Sequence, residues 1–431
     1  MQDRLIYMWK EVRELKKLLS CCLALLLLYT VLPRSARAEQ DCTLLTATDP
    51  HFVAPGLTDH GAYFTALTES SDGKLMRCSE EIMDAFLAEA VAAKPEALLL
   101  TGDLTFNGAL QSHTALAAKL HEAEERGLRV YVLPGNHDLD NPNAASFSGE
   151  SFTRVAYATA ENFRRIYADF GFDEALSIDP DSLSYVAALN GDTRLLMLDF
   201  NTRHDPCGIS EKSLEWVEAQ LKDARDAGVR MLAAGHQNLF QLTMFRAGYV
   251  IQNAEKLAAL FREYGVTLYL SGHLHCQHWK TEEGLTEIAT SALSVSPCQY
   301  GILKVTGETL HYETKETDVT AWAKAQGRTE KDLLDFRTYA ADFFDSRNRQ
   351  STAETLSLFA FTPEEIGRMT EYIIKLNRAY FSGDMRDAAS FDPDGEIAAL
   401  FDRSANLYTA YLKSVRPDYG MDFRKWNSSI N

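Results

Sequence analysis

Val130-Tyr131-Val132-Leu133-Pro134-Gly135-Asn136-His137-Asp138 is an apolar run that ends in Pro-Gly and then delivers an amide, an imidazole and a carboxylate. The run reads as a buried strand, and Gly135 lets the backbone turn sharply at its carboxyl end. In α/β sheets that end opens into the crevice where ligands bind. Alone the tetrapeptide is a weak signal, because Asn and Asp are ordinary turn residues and a single His usually packs or faces solvent. Four other predicted strand ends carry the same chemistry.

Leu44 to Thr48 ends at Asp49-Pro50-His51, and Ala97 to Thr101 runs into Gly102-Asp103. Arg230 to Ala234 leads to Gly235-His236, and Val266 to Ser271 to Gly272-His273-Leu274-His275. Asp49/His51 and His273/His275 are i, i+2 pairs, which in extended backbone point the same way. Helical patterns fill the gaps. Ser79 reads as an N-cap before Glu80 and Glu81, with Ile82, Ala85, Phe86 and Ala90 as the buried stripe. His113 to Arg126 closes at Gly127 and Ser213 to Ala227 at Gly228, while Asn253 caps a helix that ends at Gly265. Asn141 to Ser151 reads as a loop, and Asn190-Gly191-Asp192 as a hairpin turn. Leu285 to Ala292, Gln299 to Val305 and Thr309 to Thr314 read as antiparallel strands. The expectation is an α/β fold, a sandwich of two facing sheets flanked by helices.

After about Tyr312 the strand pattern ceases, and 316–431 reads as an all-α C-terminal domain. Thr362-Pro363-Glu364-Glu365 is a helix start, followed by Ile366, Met369, Ile373 and Ile374 at helical spacing. Glu396 to Val415 reads as one further helix. Residues 1–38 read as a signal peptide: Leu18 to Leu32 is apolar but shorter than the roughly 20 residues of a spanning helix. Pro33 breaks it, and Ala36-Arg37-Ala38 is a cleavage site before Glu39. The localisation expected is secreted or extracytoplasmic, with an uncleaved membrane anchor as the competing reading. The intervening domain is 39–315.

The chain has 431 residues, 46% of them apolar, and a net charge of −18 from 61 acidic and 43 basic side chains. Such a surface disfavours duplex nucleic acid and anionic membrane. It does not forbid an anionic substrate where bound cations dominate the field in a cleft. Cys21 and Cys22 leave with the signal. Cys42, Cys78, Cys207, Cys276 and Cys298 are odd in number, at no metal-like spacing, and read as scattered structural thiols.

Imidazoles, carboxylates and one amide oxygen suit Zn, Mn or Fe better than Ca. Seven candidates are too many for one tetrahedral ion and suit two divalent ions sharing a carboxylate, roughly 3.5–4 Å apart. The five blocks, Asp-x-His, Gly-Asp, Gly-Asn-His-Asp, a lone His and Gly-His-x-His, resemble the calcineurin-like metallophosphoesterase superfamily, in the family order, over about Leu44 to Val305. Within it the chain resembles the cyclic-nucleotide phosphodiesterase branch with an added helical C-terminal domain. The resemblance implies that Asp49, His51, Asp103 and His275 hold one ion, and Asp103, Asn136, His236 and His273 the other. It implies His137 as proton donor to the leaving oxygen, Asp138 orienting its ring, and a metal-bridging hydroxide as nucleophile. Gln237 departs from the usual His or Pro after the lone His. His60, His113, His121, His204, His278 and His311 lack such context and read as ordinary. Arg203 reads as a solvated loop residue.

The function expected is a dinuclear phosphodiesterase for cyclic nucleotides or similar small-molecule phosphoesters. The alternatives are a phosphomonoesterase or nucleotidase on the same fold, or a non-catalytic surface binding protein. The motif loops hold few Lys or Arg, which a monoester dianion would want; a binding protein would have lost ligands, yet all are present.

Overall fold

The strands that carry the first three blocks are neighbours. Cys42–Ala47, Ala97–Thr101 and Val130–Leu133 run parallel, with Leu45 opposite Leu98 and Leu98 opposite Val130. In this computed structural model, which describes residues 41–202, 207–307 and 309–429, they form one end of a six-stranded sheet. The segment 1–38, Arg203 and His204 lie outside the described residues. Gln299–Thr306 and Thr309–Glu316 add antiparallel on the far side of Cys42–Ala47. Residues 97–100 form an unbroken apolar run because the strand is buried on both faces, as strands covered on both sides are.

The second sheet has seven strands. Thr193–Leu198, Arg230–Gly235, Leu268–Ser271 and Leu285–Ala289 lie side by side and parallel at its centre. Its side chains alternate with the period of two that a pleated strand imposes. Leu195, Met197, Leu232 and Ile288 join Leu44 and Leu98 of the first sheet in the shared core. Leu196, Leu198, Ala233 and Tyr269 face the other way, under Val217, Leu221, Leu257 and Phe261 of two outer helices. The α/β two-sheet sandwich expected from the sequence is the observed fold.

Several local readings are corrected. Ser79 opens the helix Ser79–Ala93 but does not cap it, because its hydroxyl accepts from Val53 N at 3.2 Å. Asn253 gives its amide to Ile209 O and makes no cap hydrogen bond. The 141–151 stretch is not a plain loop: Ala145–Ser148 and Ser151–Arg154 pair as a hairpin, with Phe147 packed on Tyr63 and Phe64. Leu285–Ala289 is antiparallel only to His278–Glu282, a strand missed in the sequence, and parallel to Leu268–Ser271.

The C-terminal region is helical but not wholly so. Helices Val319–Ala325, Phe336–Leu356 and Pro363–Ser382 are followed by two short ones, Glu396–Phe401 and Leu407–Val415, where one was expected. The interruption is local chemistry: Asn406 accepts from Thr409 N and starts a new helix. Lys425–Ser429 then returns to the first sheet as its edge strand beside Thr309–Glu316, so strands do not end near Tyr312. The helices share a core of Leu356, Met369, Ile373, Leu376, Phe401 and Leu412, which also takes in Cys276 directly after the Gly-His-Leu-His block. Each such buried aliphatic side chain contributes roughly 1.5–3 kcal/mol. Among the described residues no helix is long and apolar enough to cross a membrane, and all five cysteines are free and buried.

Candidate metal centre

All five blocks meet at the carboxyl ends of their strands, where the two sheets abut. Backbone hydrogen bonds lock the loops together: Asp49 N donates to Gly102 O, His51 N to Asp103 O, and Gly272 N to His236 O. Two glycines permit this approach. A Cβ on Gly102, whose φ is +94°, would stand 2.5 Å from His236 Nδ1, and one on Gly272 would stand 1.9 Å from Thr48 Oγ1. Five of the seven candidate ligands are not extended. Asp49, His51, Asp103, His273 and His275 all have φ between 43° and 67°. That left-handed backbone costs roughly 1–3 kcal/mol per residue and collects at functional sites. Asp49 and His51 do converge, but through this left-handed backbone and not through the alternation of an extended strand, whereas His273 and His275 divide between two donor groups.

Three groups of donors converge: Asp49, His51 and His275; His51, Asp103 and His137; and Asp103, His236 and His273. Asp103 belongs to two of them. His51 Nε2 is 3.2 Å from His275 Nε2, His275 Nε2 is 3.3 Å from Asp49 Oδ1, and His236 Nε2 is 3.4 Å from Asp103 Oδ2. Two ligands of a single tetrahedral zinc-sized ion stand roughly 3.3 Å apart, given ligand bonds near 2.0–2.1 Å. Asp49 Oδ1 and His236 Nε2 are buried with no hydrogen-bond partner, which such a site tolerates only if something else satisfies them. The donor set fits a divalent metal site.

The remaining atoms of these ligands are tied down. Asp49 Oδ2 accepts from Thr48 Oγ1 at 2.7 Å and from His273 N at 3.0 Å. Asp103 Oδ1 accepts from His137 N, and His236 Nδ1 donates to Thr101 O at 2.8 Å. His273 Nε2 lies 3.0 Å from Gly248 O, which leaves Nδ1 as that ring's free nitrogen for an ion. Asn136 lines the same cavity, and its Oδ1 accepts a long 3.4 Å hydrogen bond from Gln237, the residue that departs from the family pattern. Asn201 also binds Gln237, at 2.6 Å.

Charge follows from this packing. Burial would raise the Asp49 and Asp103 carboxyls, but His236, with His275 beside Asp49 and His137 beside Asp103, holds both well below the usual range. Burial would lower His236 and His275, but Asp103 and Asp49 outweigh it and push both up to about 9. Burial pushes His51 down, and His273 down to about 4. The two carboxylates are thus held in their charged form by the imidazoles packed around them.

His137 is half-buried at the cavity floor, its Nδ1 on Phe106 O at 2.7 Å and its Nε2 3.8 Å from Asp103 Oδ2. Asp138 does not orient this ring. It lies beneath the loops, accepting from Leu104 N, Thr105 N, Thr105 Oγ1 and Gly135 N, and burial pushes its carboxyl up. Its work is to hold the Gly-Asp loop against the Gly-Asn-His-Asp loop. His113, read as ordinary, supports it from below through Asp138 O at 3.1 Å. Sequence reasoning missed Asp72, which faces His275 Nδ1 at 3.4 Å and pairs with Lys74 at 2.7 Å. It also missed Glu287, whose carboxylate ties Asn238, Leu239 and Phe240 to Ser271 and so braces the His236 loop against the strand before His273.

A sequence profile for the calcineurin-like phosphoesterase family matches residues 43–277. The chain belongs to that family. It is a family of metal-dependent phosphoester hydrolases, and the site just described occupies its matched span. A second profile, the C-terminal domain of cyclic nucleotide phosphodiesterase, matches residues 318–422. The chain is similar to a probable cyclic nucleotide phosphodiesterase of Vesicomyosocius okutanii, 37% identical over 59 residues, which is 14% of this chain and 24% of that protein's length. It is also similar to a probable glycerophosphodiester phosphodiesterase of Arcobacter nitrofigilis, 25% identical over 55% of this chain and 80% of the relative. Among solved structures, a dimetal phosphatase from Danio rerio aligns over 64% of this chain and 96% of its own, with TM-score 0.47 and 14% identity.

Proposed function

We propose that this phosphoesterase is a dinuclear phosphodiesterase acting on cyclic nucleotides or similar diesters. The observation that carries the reading is the pair of buried atoms without a hydrogen bond, Asp49 Oδ1 and His236 Nε2, close to a carboxylate, Asp103, that two donor groups share. Asp49, His51, Asp103 and His275 would hold one divalent ion, and Asp103, Asn136, His236 and His273 the other. Such ions supply a Lewis acid for the phosphoryl oxygens and lower the pKa of water toward neutrality.

The chain's own groups do the rest. Phe106 O holds the Nδ1 proton of His137, so Nε2 is the nitrogen that gives and regains a proton, here at the leaving oxygen. Asp138 keeps that ring at its station through the backbone of the two loops, not by touching it. Lys74 is the only Lys or Arg among the described residues lining the cavity, and Asp72 neutralises it at 2.7 Å. A singly charged diester suits that wall better than a monoester dianion. The helical region's match and the relatives' names support the diester class and its nucleotide member.

The test is a phosphoester panel on protein restored with Mn, Fe or Zn in turn. A bis-aryl phosphate and a 3′,5′-cyclic nucleotide should turn over well and the mono-aryl ester poorly; the reverse order would favour the phosphomonoesterase. Export is part of the proposal, supported by Leu18 to Leu32 and Ala36-Arg37-Ala38. Exported protein should begin near Glu39, and an intact Met1 in a membrane fraction would favour the anchor.

A further inference from the structure

The cavity over the motif residues, about 380 Å³, has two unlike ends. One holds Asp103, Asn136, His137 and His275. The other is apolar and aromatic, lined by Phe245 and Tyr249 of the 243–249 loop and by Leu407, Tyr408 and Tyr411 of the helical region. Tyr249 joins the ends: its ring is 4.9 Å from that of His273 and 5.5 Å from that of Phe245, stacked at 22°. The tyrosine hydroxyls of the helical wall are already used. Tyr408 donates to Thr352 Oγ1 and Tyr411 to Asn377 Oδ1. Both hydroxyl protons are thus committed, and what those residues offer a ligand as a broad surface is ring face.

Phe245 is 43% exposed and Leu407 is 52% exposed at the same cavity. Neither exposure helps the fold, and apolar side chains left wet beside a polar reaction centre mark a binding surface. An aliphatic, hydroxyl-bearing group of glycerol size would leave both in water. A planar ring would cover them, since every nucleobase has a face that stacks on an aromatic side chain.

We propose that this apolar end is a subsite for the base of a nucleotide substrate, stacked at Phe245 and covered by Leu407 and Tyr408. The inference rests on the phosphodiesterase reading above and gives the helical region a role in recognition, since it supplies Leu407, Tyr408 and Tyr411 to the cavity wall. Base stacking of this kind is worth about 5- to 150-fold in binding.

The experiment compares a 3′,5′-cyclic nucleotide with the same ribose cyclic phosphate lacking its base, on the metal-loaded full chain. Phe245→Ala, Leu407→Ala and the double variant change exposed side chains only, and metal content and melting temperature check that nothing else moved. Wild type should prefer the nucleotide by about tenfold or more in kcat/KM, mostly through KM. The double variant should lose at least about fivefold of that preference while its kcat on the base-free diester stays unchanged. Equal kcat/KM for the two diesters in wild type, or an undiminished preference in the double variant, overturns the subsite and leaves the phosphodiesterase reading standing. Hydrolysis of neither diester overturns the phosphodiesterase reading itself. Calorimetric binding of a nucleoside monophosphate against ribose phosphate then still decides the subsite: tighter binding of the nucleotide, lost in the double variant, supports it, and equal affinities overturn it.

Discussion

Replacing Glu287 with Gln removes the charge from a fully buried carboxylate that braces the two histidine loops. Asn238 Nδ2 and Ser271 Oγ donate to one oxygen at 2.8 and 2.7 Å, and Leu239 N and Phe240 N to the other at 3.1 and 2.7 Å. Burial pushes this carboxyl up from 4.5 to about 7, with the four donors holding it from going higher. A folded pKa above the unfolded one means the fold holds the proton more tightly. The group's stabilising contribution is then complete below about pH 4.5 and is lost as pH rises through about 7. At about 1.4 kcal/mol per pKa unit, the full loss is about 3 kcal/mol, most of it between about pH 5 and about pH 8. Gln cannot titrate, and Asn238 Oδ1, which has no partner, can turn to accept from the new amide. Urea unfolding of both proteins across that range isolates the group, because every other titration is common to the two and cancels. The difference in unfolding free energy, wild type minus variant, should fall by about 2–3 kcal/mol from pH 5 to pH 8. A difference that is flat, or that grows with pH, would refute the reasoning and mean that the four donors outweigh burial.

His137→Ala should keep both ions and lose about 10²–10⁴-fold on a cyclic nucleotide, whose leaving alkoxide needs a proton, but far less on a nitrophenyl diester; loss of an ion would instead make it a ligand, as its place beside His51 and Asp103 allows. Asp138→Ala strands three buried backbone donors, Leu104 N, Thr105 N and Gly135 N, and should cost about 3–5 kcal/mol by urea titration; a loss below about 1 kcal/mol would remove it from the role of keystone. Ending the chain before Lys425 uncovers the edge of Thr309–Glu316 and removes Trp426 from the core, so the product should melt lower and self-associate in light scattering; an unchanged melting temperature in a monodisperse product would count against the strand.

The strand ends were legible because each block sets a candidate ligand at the close of an apolar run, and four of the five join it to a glycine. The left-handed backbone at Asp49, His51 and Asp103 was not legible, since it is imposed by neighbouring loops and the sequence marks only the glycines that make room. Glu287 did leave a trace. In Leu285-Thr286-Glu287-Ile288-Ala289 it shares a strand face with Leu285 and Ala289, where an acid needs buried donors. Asp72 sits in Ser70-Ser71-Asp72-Gly73-Lys74, which reads as a solvated turn, and nothing local shows that His275 will lie beside it. Lys425-Trp426-Asn427-Ser428-Ser429 is too polar to announce a strand, and it becomes one only because Thr309–Glu316 offers it an open edge.

The central claim is that one buried carboxylate, Asp103, serves two cations. Metal analysis of the purified full chain, wild type beside Asp103→Asn, tests it most directly, since the amide keeps the shape but loses the charge that a shared ligand needs. Wild type should carry two divalent ions per chain, and the variant should lose affinity at both positions together. A wild type that saturates at one ion, or an Asp103→Asn protein that still holds two, would contradict it.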